Sequence, residues 1–303
     1  MSDRVTRRTT LAAAVLLSAL IAADEGRAEE KPKNIVYLHG PWSQGLLVTQ
    51  IGRKLLERIG YHIELKLLDT ALVYQALATG KADLFSSAYL PGQQAYFNRQ
   101  PGKLDIVSMS YGPVSGGLMV PSYVAANSIE DLRKPEVKAS FGGTILGMDA
   151  GAGVMRQTED AIKKYGLDIN LVPSSVAAMT AAFQSAYEKN QNVVMVNNCP
   201  SYVCSRFKIR YLDDPKRVFG AARDMHVVRN GFRQDFPDAI KLISRLTIYS
   251  DQMSDMLVWM EGDKMSAEQA ADRFLAENPD LVWYWIGDLD PKAVEPDVLK
   301  AMK

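Results

Sequence analysis

A tryptophan in a short turn is the first residue of this chain that is placed to contact a small molecule. Trp42 lies in the segment 37–45 (Tyr-Leu-His-Gly-Pro-Trp-Ser-Gln-Gly), after an apolar run at 34–38 that predicts a buried strand. An amphipathic run at 44–59 follows and predicts a helix. Ligands of open α/β sheets bind beyond the carboxyl ends of the strands. We therefore expect Trp42 to form one wall of a small-molecule site.

Two tyrosines are further candidates for contact with a ligand. Tyr89 follows a short strand predicted at 82–85, and it precedes a Leu-Pro pair. Tyr111 lies between strands predicted at 106–110 and 117–120. It could face the ligand or be buried beneath the adjacent Gly-Pro turn.

A glycine-rich loop offers polar groups to a ligand. Asp149 precedes Gly151, Ala152 and Gly153, and its carboxylate could either balance a cation or cap the following helix. The backbone N–H groups of Gly151 and Ala152, at the N-terminus of that helix, would form a generic seat for an anion. The loop is not a phosphate loop, because no Lys-Ser/Thr pair follows it.

The two cysteines, Cys199 and Cys204, lie five residues apart. A disulfide between them is possible outside the cytosol. If Pro200 began a helix, however, the two Cα atoms would lie too far apart to be bridged, so both alternatives stay open. No histidine is near them in sequence, and we expect neither a metal site nor a cofactor.

Charge and motifs argue against two classes of function. The 303 residues include 35 Lys and Arg and 35 Asp and Glu, without the basic excess of nucleic-acid binders, so we expect no nucleic-acid partner. The chain lacks a Gly-x-Ser-x-Gly elbow, a His-Glu-x-x-His motif and a cysteine with a plausible histidine base. We therefore predict that it is not an enzyme, with an exported hydrolase as the less favoured alternative.

The N-terminus has the pattern of a secretory signal peptide. A basic head precedes an apolar core at 11–23, which is too short to span a bilayer comfortably. Gly26 and Ala28 are small residues at the cleavage-determining positions, so we expect cleavage after Ala28. Export by the Sec or the twin-arginine route would give a soluble, monomeric, periplasmic protein.

The predicted strands and helices follow the same order twice. Over 34–85 they alternate as strand, helix, strand, helix, strand, which is the opening of a doubly wound α/β domain. The alternation returns over 144–196, so we expect two such lobes facing each other across a ligand cleft. The helical C-terminal part is expected to pack on the first lobe. The predicted divisions are a signal peptide at 1–28, lobe 1 at 33–120 plus 222–290, lobe 2 at 121–221, and a C-terminal tail at 291–303.

Short motifs recur in a fixed order along the chain. The strongest is Tyr-Leu-Asp-Asp-Pro-Lys at 211–216. The others are Trp42, Leu-Glu-Arg-Ile-Gly-Tyr at 56–61, and the segments 89–91, 117–121, 128–132, 231–232, 236–237, 270–271 and 278–279. Together they resemble the glycine betaine/proline-type substrate-binding proteins of ABC importers, a family that also covers choline-like ligands. The resemblance extends from Asn34 to Ile286 and implies a hinged, two-lobed periplasmic-binding-protein fold (type II-like).

The resemblance also implies a box of aromatic side chains around a quaternary ammonium group. The nitrogen of a quaternary ammonium group has no N–H to donate, so the negative faces of aromatic rings attract it, by about 0.5–2 kcal/mol per contact. Trp42 matches the first aromatic position of the family, and Tyr89 stands at the second, where many relatives have Trp. In the second lobe, Asn198, Ser201 and Tyr202 stand where relatives carry the Trp, His and Trp of a Trp-x-Pro-His-Trp motif.

The resulting hypothesis is an exported protein that delivers a small quaternary-ammonium or betaine-like compound to an ABC permease in the inner membrane. Asn198 adds a donor and an acceptor, which leaves open a more polar amine or an amino-acid-like solute. A ligand-sensing receptor lobe is another alternative, because it needs the same closing cleft. Closure about hinge crossings near Val120-Pro121 and Ala221-Ala222 would bring the second lobe over the ligand.

Overall fold

The computed structural model describes residues 33–290, 292 and 295. The signal peptide predicted at 1–28 lies outside these residues, as does most of the tail predicted at 291–303. Within the described part, short strands alternate with helices, which is the pattern of an α/β fold.

Ten β-strands form the sheets of the described part. They are β1 (Asn34–His39), β2 (His62–Leu67), β3 (Leu84–Leu90), β4 (Leu104–Pro121), β5 (Thr144–Leu146), β6 (Asn170–Val172), β7 (Met195–Cys199), β8 (Ile209–Tyr211), β9 (Ala222–Arg229) and β10 (Ile248–Tyr249).

Between residues 33 and 290, twelve α-helices and a 3₁₀ helix at Ile129–Arg133 accompany the strands. None of the helices within this described part has the length and apolar character that crossing a lipid bilayer requires. The α-helices are α1 (Ser43–Arg58), α2 (Thr70–Ala78), α3 (Gln94–Asn98), α4 (Pro135–Ser140), α5 (Gly153–Tyr165), α6 (Val176–Glu188), α7 (Tyr202–Arg206), α8 (Phe232–Asp235), α9 (Pro237–Arg245), α10 (Ser250–Glu261), α11 (Ala267–Glu277) and α12 (Pro279–Ile286).

The first sheet has the strand order β2-β1-β3-β9-β4, and β10 also pairs with β4. β1 is parallel to both β2 and β3, and α1 and α2 make the connections, so the predicted strand-helix alternation over 34–85 is confirmed. β9 runs antiparallel between β3 and β4. Because β1 and β3 are neighbours with the same direction, the turn after β1 and the end of β3 share one edge of the sheet.

The second sheet has the strand order β4-β7-β5-β6, with β8 also on β4. β5 is parallel to β6 and β7, while β7 is antiparallel to β4. β4 therefore belongs to both sheets. The parts of the chain built on the first and second sheets are called the first lobe and the second lobe below.

β4 corrects one prediction about the secondary structure. The sequence predicted two strands, at 106–110 and 117–120, with Tyr111 between them; the structure has one strand of 18 residues. The Gly-Pro pair at 112–113 did not end the strand, because register shifts around Tyr111 absorb the irregularity within the pairing with β9. β4 pairs with β9 as far as Val114 and with β7 from Ser115 onward. The predicted lobe boundaries near 120 and 221 stay predictions.

The helix α1 anchors the first lobe. Its inward face includes Leu47, Ile51 and Leu55, which have no solvent exposure, as the apolar periodicity of the segment indicates. On its outer side α1 packs against α11, where Arg53 pairs with Glu268 at 2.6 Å. The helical C-terminal part thus returns to the first lobe.

Candidate functional site

A cavity of about 360 Å³ lies between the two lobes, and this volume is in the range of small-molecule sites. Its wall combines the turn after β1, the end of β3, the middle of β4, the start of α5 and the loop between β7 and α7. Seven of the nine predicted ligand-binding residues line it: Trp42, Tyr89, Tyr111, Ala152, Asn198, Ser201 and Tyr202.

The glycine-rich loop before α5 contributes only its last residues to the cavity. Ala152 and Gly153 line the cavity, whereas Asp149 and Gly151 do not. Asp149 does not cap α5 either, because Ala152 holds the N-cap position and no side chain of the described residues caps the helix. Gly151 faces Thr70 of the first lobe, whose Oγ1 would lie 3.6 Å from a Cβ on Gly151. The ligand contacts predicted for Asp149 and Gly151 stay predictions.

Trp42 holds the N-cap position of α1, just beyond the end of β1. Gly40 packs against its ring so closely that a Cβ on Gly40 would stand 2.2 Å from Cζ3. Only a glycine therefore leaves room for the indole. The ring lines the cavity, and its indole Nε1 is buried without a hydrogen-bond partner among the described residues.

Tyr89, near the end of β3, is held by both lobes. A Cβ on Gly92 would lie 2.5 Å from its ring, and a Cβ on Gly153 would lie 2.7 Å from it. Its hydroxyl donates to Gln157 Oε1 of α5 at 3.4 Å. Burial raises the pKa of Tyr89 above its ordinary value, so the phenol stays neutral at physiological pH.

Gly116 of β4 lets side chains from the two lobes meet. A Cβ at this position would stand 2.6 Å from both the Tyr89 hydroxyl and Asn198 Oδ1. The Asn198 Oδ1 atom is buried, and nothing in the described part of the chain donates a hydrogen bond to it. Asn198 thus brings an available acceptor to the wall of the cavity.

The loop between β7 and α7 is closed by a disulfide. Cys199 and Cys204 are bridged, with Cα atoms 6.0 Å apart, because the helix begins only at Tyr202 rather than at the preceding proline. The Ser201 hydroxyl oxygen accepts the Cys204 N–H at 3.3 Å and an N–H of Asn197 Nδ2 at 2.8 Å. The loop therefore holds Ser201 and Tyr202 in fixed positions on the cavity wall.

Asp224 of β9 also lines the cavity, and the sequence analysis did not identify it. It is 1% exposed and lies opposite Tyr89 of β3 and Tyr111 of β4 in the sheet. The Ser87 hydroxyl donates to Asp224 Oδ1 at 3.1 Å. Burial raises the pKa of Asp224 to about 7, although the hydroxyls of Tyr111 and Ser87 act in the opposite direction.

The signal that could have found Asp224 is the pattern of β9. Asp224 and His226 alternate with apolar residues over 224–228, which is the period of a strand with two polar residues on one face. Both His226 ring nitrogens are satisfied, with Nδ1 2.6 Å from Ser86 Oγ and Nε2 2.8 Å from the Leu246 carbonyl oxygen. Burial lowers the pKa of His226 to about 4, so its imidazole is neutral.

Of the described residues, three with charged side chains line the cavity: Asp224, Glu261 and Lys264. Lys264 is exposed, and its ammonium donates to the Glu261 carbonyl oxygen at 2.7 Å. The Glu261 carboxylate accepts the Ser43 hydroxyl at 3.1 Å. Across residues 33–290, no three His, Cys, Asp or Glu side chains are grouped so that they could hold a metal ion. The buried charge of the wall is therefore a carboxylate set among aromatic rings.

Direct contacts join the lobes around the cavity. Gln44 Nε2 of the first lobe donates to the Pro200 carbonyl oxygen of the second lobe at 2.8 Å. The Arg156 guanidinium lies 5.3 Å from the ring centre of Tyr96. A solute in the cavity would consequently be enclosed by both lobes.

Residues 33–277 match the family described as the substrate-binding domain of ABC-type glycine betaine transport systems. The chain belongs to this family. The resemblance carried by the short motifs is thus confirmed, and residues 33–277 form the substrate-binding domain that defines this family. Its homologues are extracytoplasmic transport binding proteins rather than enzymes, and the family binds small ligands and works with ABC permeases.

A relative from Listeria monocytogenes is the glycine betaine/carnitine transport binding protein GbuC. It is 34% identical over 171 residues, which make up 55% of this chain and 56% of the relative. The chain thus spans about half the length of that curated relative in the alignment.

Two solved structures have the same fold. The glycine betaine, L-proline transporter binding protein ProX from Borrelia burgdorferi has a TM-score of 0.80 at 27% identity, over 89% of this chain and 99% of that chain. Lactococcal OpuAC, in its closed form with glycine betaine, has a TM-score of 0.78 at 26% identity, over 84% of this chain and 99% of its own. The predicted two-lobed, type II-like α/β fold is confirmed.

Proposed function

We propose that this protein captures a small quaternary-ammonium or betaine-like solute and delivers it to an ABC permease. The observation that carries the proposal is the cavity of about 360 Å³ between the lobes, walled by Trp42, Tyr89, Tyr111 and Tyr202. Aromatic faces attract a methylated cation by about 0.5–2 kcal/mol per contact. The relative GbuC, a glycine betaine/carnitine binding protein, and OpuAC, complexed with glycine betaine, support the same ligand class.

Capture proceeds by closure of the lobes. The solute enters the open cleft and contacts Trp42 and Tyr89, after which the second lobe brings Asn198 and Tyr202 over it. The exchange of β4 from β9 to β7 after Val114 supports a hinge in this strand. Only the closed form contacts the ligand from both sides, so the ligand shifts the population toward it. The permease recognises this closed form.

The protein works in the periplasm as a monomer, without a cofactor, a nucleic-acid partner or catalytic turnover. The signal-peptide pattern at 1–28 supports export, and the balance of 35 basic and 35 acidic residues supports the absence of a polyanionic partner. Incubation of each bound solute with the protein, followed by NMR of the solute, tests the absence of turnover. Any conversion of the solute would contradict it.

Isothermal titration of the purified protein against betaines, choline, carnitine, methylamines and amino acids tests the ligand class. We expect a methylated cation to bind best. Trp42→Ala is expected to lower the affinity for this cation by about tenfold or more. Tyr284→Ala is the matched control, because this aromatic side chain is 61% exposed and lies outside the cavity wall. If Trp42→Ala binds the ligand with an affinity within about twofold of wild type, the site lies elsewhere.

A second candidate ligand is a more polar amine or an amino-acid-like solute. The buried Asn198 Oδ1, which accepts no hydrogen bond from the described residues, favours a ligand that has a donor. In the same titration, binding of a polar solute without binding of any methylated cation would reject the aromatic box and retain the binding-protein function.

A further inference from the structure

Asp224 is a buried carboxylate with an unused acceptor on the cavity wall. It is 1% exposed and lines the cavity beside Ser87, Tyr89 and Tyr111. Its Oδ1 accepts the Ser87 hydroxyl at 3.1 Å, while its Oδ2 is buried and receives no hydrogen bond from the described residues. Buried carboxylate oxygens are normally hydrogen bonded, because leaving one unpaired is unfavourable. A ligand in the cavity that donated a hydrogen bond to Oδ2 would satisfy this atom.

The described groups that interact with Asp224 do not neutralise it. Three phenols act on its charge: Tyr74 from α2, Tyr89 from β3 and Tyr111 from β4. Burial raises the pKa of each phenol above its ordinary value, so all three stay neutral. His226, on the same strand, is neutral as well, because burial lowers its pKa to about 4.

The remaining charged groups near Asp224 are arranged so that a cation, not an anion, finds a partner in the cavity. Arg223, the preceding residue of β9, is exposed and points to the opposite face of the strand. Glu261 and Lys264 line the cavity as one carboxylate and one ammonium, whose charges offset each other and leave Asp224 as the unbalanced charge. The Lys264 ammonium donates one of its three N–H bonds to the Glu261 carbonyl oxygen at 2.7 Å. No arginine is among the described residues that line the cavity.

We propose that Asp224 accepts a hydrogen bond from the ligand's ammonium group, and that among methylated cations the protein prefers a small monocationic amine with at least one N–H to a quaternary ammonium compound. The proposal rests on the proposed function, since Trp42 and Tyr89 surround the same cation. A fully methylated ammonium can gain only charge attraction from Asp224, because it has no N–H. An N–H donor adds a charge-assisted hydrogen bond, roughly twice as strong as a neutral one.

Binding of such an amine is coupled to release of a proton. Burial raises the pKa of Asp224 to about 7 in the ligand-free protein, so part of the population is protonated near neutral pH. The cationic amine binds the ionised form, and therefore its binding expels the proton. The affinity is expected to fall by up to about tenfold per pH unit below about pH 7.

Isothermal titration with N,N-dimethylethanolamine, choline and glycine betaine tests the proposal. Dimethylethanolamine is expected to bind best, and Asp224→Asn is expected to lower its affinity by about tenfold or more. The same variant is expected to lower the affinity for choline less. Its affinity for glycine betaine is expected to equal or exceed that of wild type. Asp160→Asn is the matched control, because this aspartate of α5 is exposed and outside the cavity wall.

The possible outcomes separate this proposal from the proposed function. If Asp224→Asn binds dimethylethanolamine within about twofold of wild type while Trp42→Ala loses it, Asp224 is not the partner and the proposed function stands. If none of the three probes binds to wild type, the proposed function fails and this proposal fails with it. If Asp224→Asn does not fold, the test relies on the wild-type protein alone. Titration of wild type with dimethylethanolamine near pH 6, in two buffers of different ionisation enthalpy, measures the protons released on binding. The absence of proton release overturns the proposal.

Discussion

Gly92 and Gly153 lie directly against each other across the cleft, one on each lobe. A Cβ on Gly153 would stand 2.8 Å from the carbonyl carbon of Gly92 and 2.7 Å from the Tyr89 ring. The absence of side chains at both positions lets the start of α5 approach the end of β3 and cover this ring. Closure of the lobes and the shape of the aromatic wall therefore depend on the same pair of residues.

Replacement of Gly153 by alanine is expected to weaken ligand binding by about tenfold or more. The added methyl group would meet the backbone of Gly92, and overpacking of this kind costs about 1–3 kcal/mol. The first position of a helix tolerates alanine well, so the melting temperature without ligand should change little. Calorimetric titration and thermal unfolding separate these effects. Gly220→Ala is the control, since a Cβ there would meet no atom of the described residues within 4 Å. Equal affinities for both variants would contradict the prediction.

Asp224→Asn is expected to stabilise the ligand-free protein more at neutral than at acidic pH. The pKa of Asp224 rises from 3.8 to about 7 on folding, so between these values the folded state keeps a proton that the unfolded state loses. Wild type therefore loses up to about 4 kcal/mol of stability as the pH rises through this window, and the variant does not. Urea unfolding at several pH values measures the difference in free energy of unfolding.

The titration of His226 does not disturb the comparison of wild type with Asp224→Asn. Its pKa falls from 6.5 to about 4 on folding, so it lowers stability as the pH decreases through this range, opposite in sign to Asp224. The effect is common to wild type and Asp224→Asn and cancels in their difference. A difference that stays constant from about pH 4 to about pH 7 would show that Asp224 is not buried as described.

Loss of the disulfide is expected to lower both stability and affinity. The bridge joins Cys199 and Cys204, five residues apart, and closure of so short a loop stabilises the folded state by about 2 kcal/mol in the chain-entropy view. The bridged loop also carries Ser201 and Tyr202 on the cavity wall. The double variant Cys199→Ser/Cys204→Ser should thus unfold at lower urea concentration and bind more weakly. Wild type with added reductant should behave like the variant, and an unchanged midpoint would contradict the prediction.

Ser201→Ala is expected to reduce stability by about 1–2 kcal/mol and to weaken ligand binding. It removes the N-cap of α7 and also the acceptor of Asn197 Nδ2. Ser175→Ala is the matched control, because Ser175 caps α6 by accepting the Ala178 N–H at 3.2 Å and does not line the cavity. Thermal unfolding should show a lower melting temperature for both variants, whereas titration should show weaker ligand binding only for Ser201→Ala. Equal effects on affinity would show that Ser201 acts only as a cap.

Local signals in the sequence predicted a large part of the first lobe and of its contribution to the site. The apolar run of β1, the Gly-Pro turn and the amphipathic α1 specify their own conformations, so the position of Trp42 beyond a strand end followed from neighbouring residues alone. Ser128 likewise caps the 3₁₀ helix that follows it, which is a contact between residues close together in the chain. The family resemblance placed Tyr89, Asn198 and Tyr202 on the cavity wall, where the structure has them.

The part of the cavity wall that β4 and β9 form depends on pairing between distant segments, which no local pattern specifies. β4 continues through the Gly-Pro pair at 112–113 because β9, more than 100 residues later, pairs with it on both sides of that pair. Asp224 reaches the cavity for the same reason, since its place between Tyr89 and Tyr111 exists only once β9 inserts between β3 and β4.

The sequence by itself determined the alternation of strands and helices, the family and the aromatic residue at the end of β1. Each of these depends on residues close together in the chain or on motifs in a fixed order. Only the tertiary structure decided that the cavity contains the Asp224 carboxylate, omits Asp149, and closes through Gly92 and Gly153. These features arise from long-range strand pairing and from the approach of two lobes, where burial, rather than residue type, sets the charge and the available space.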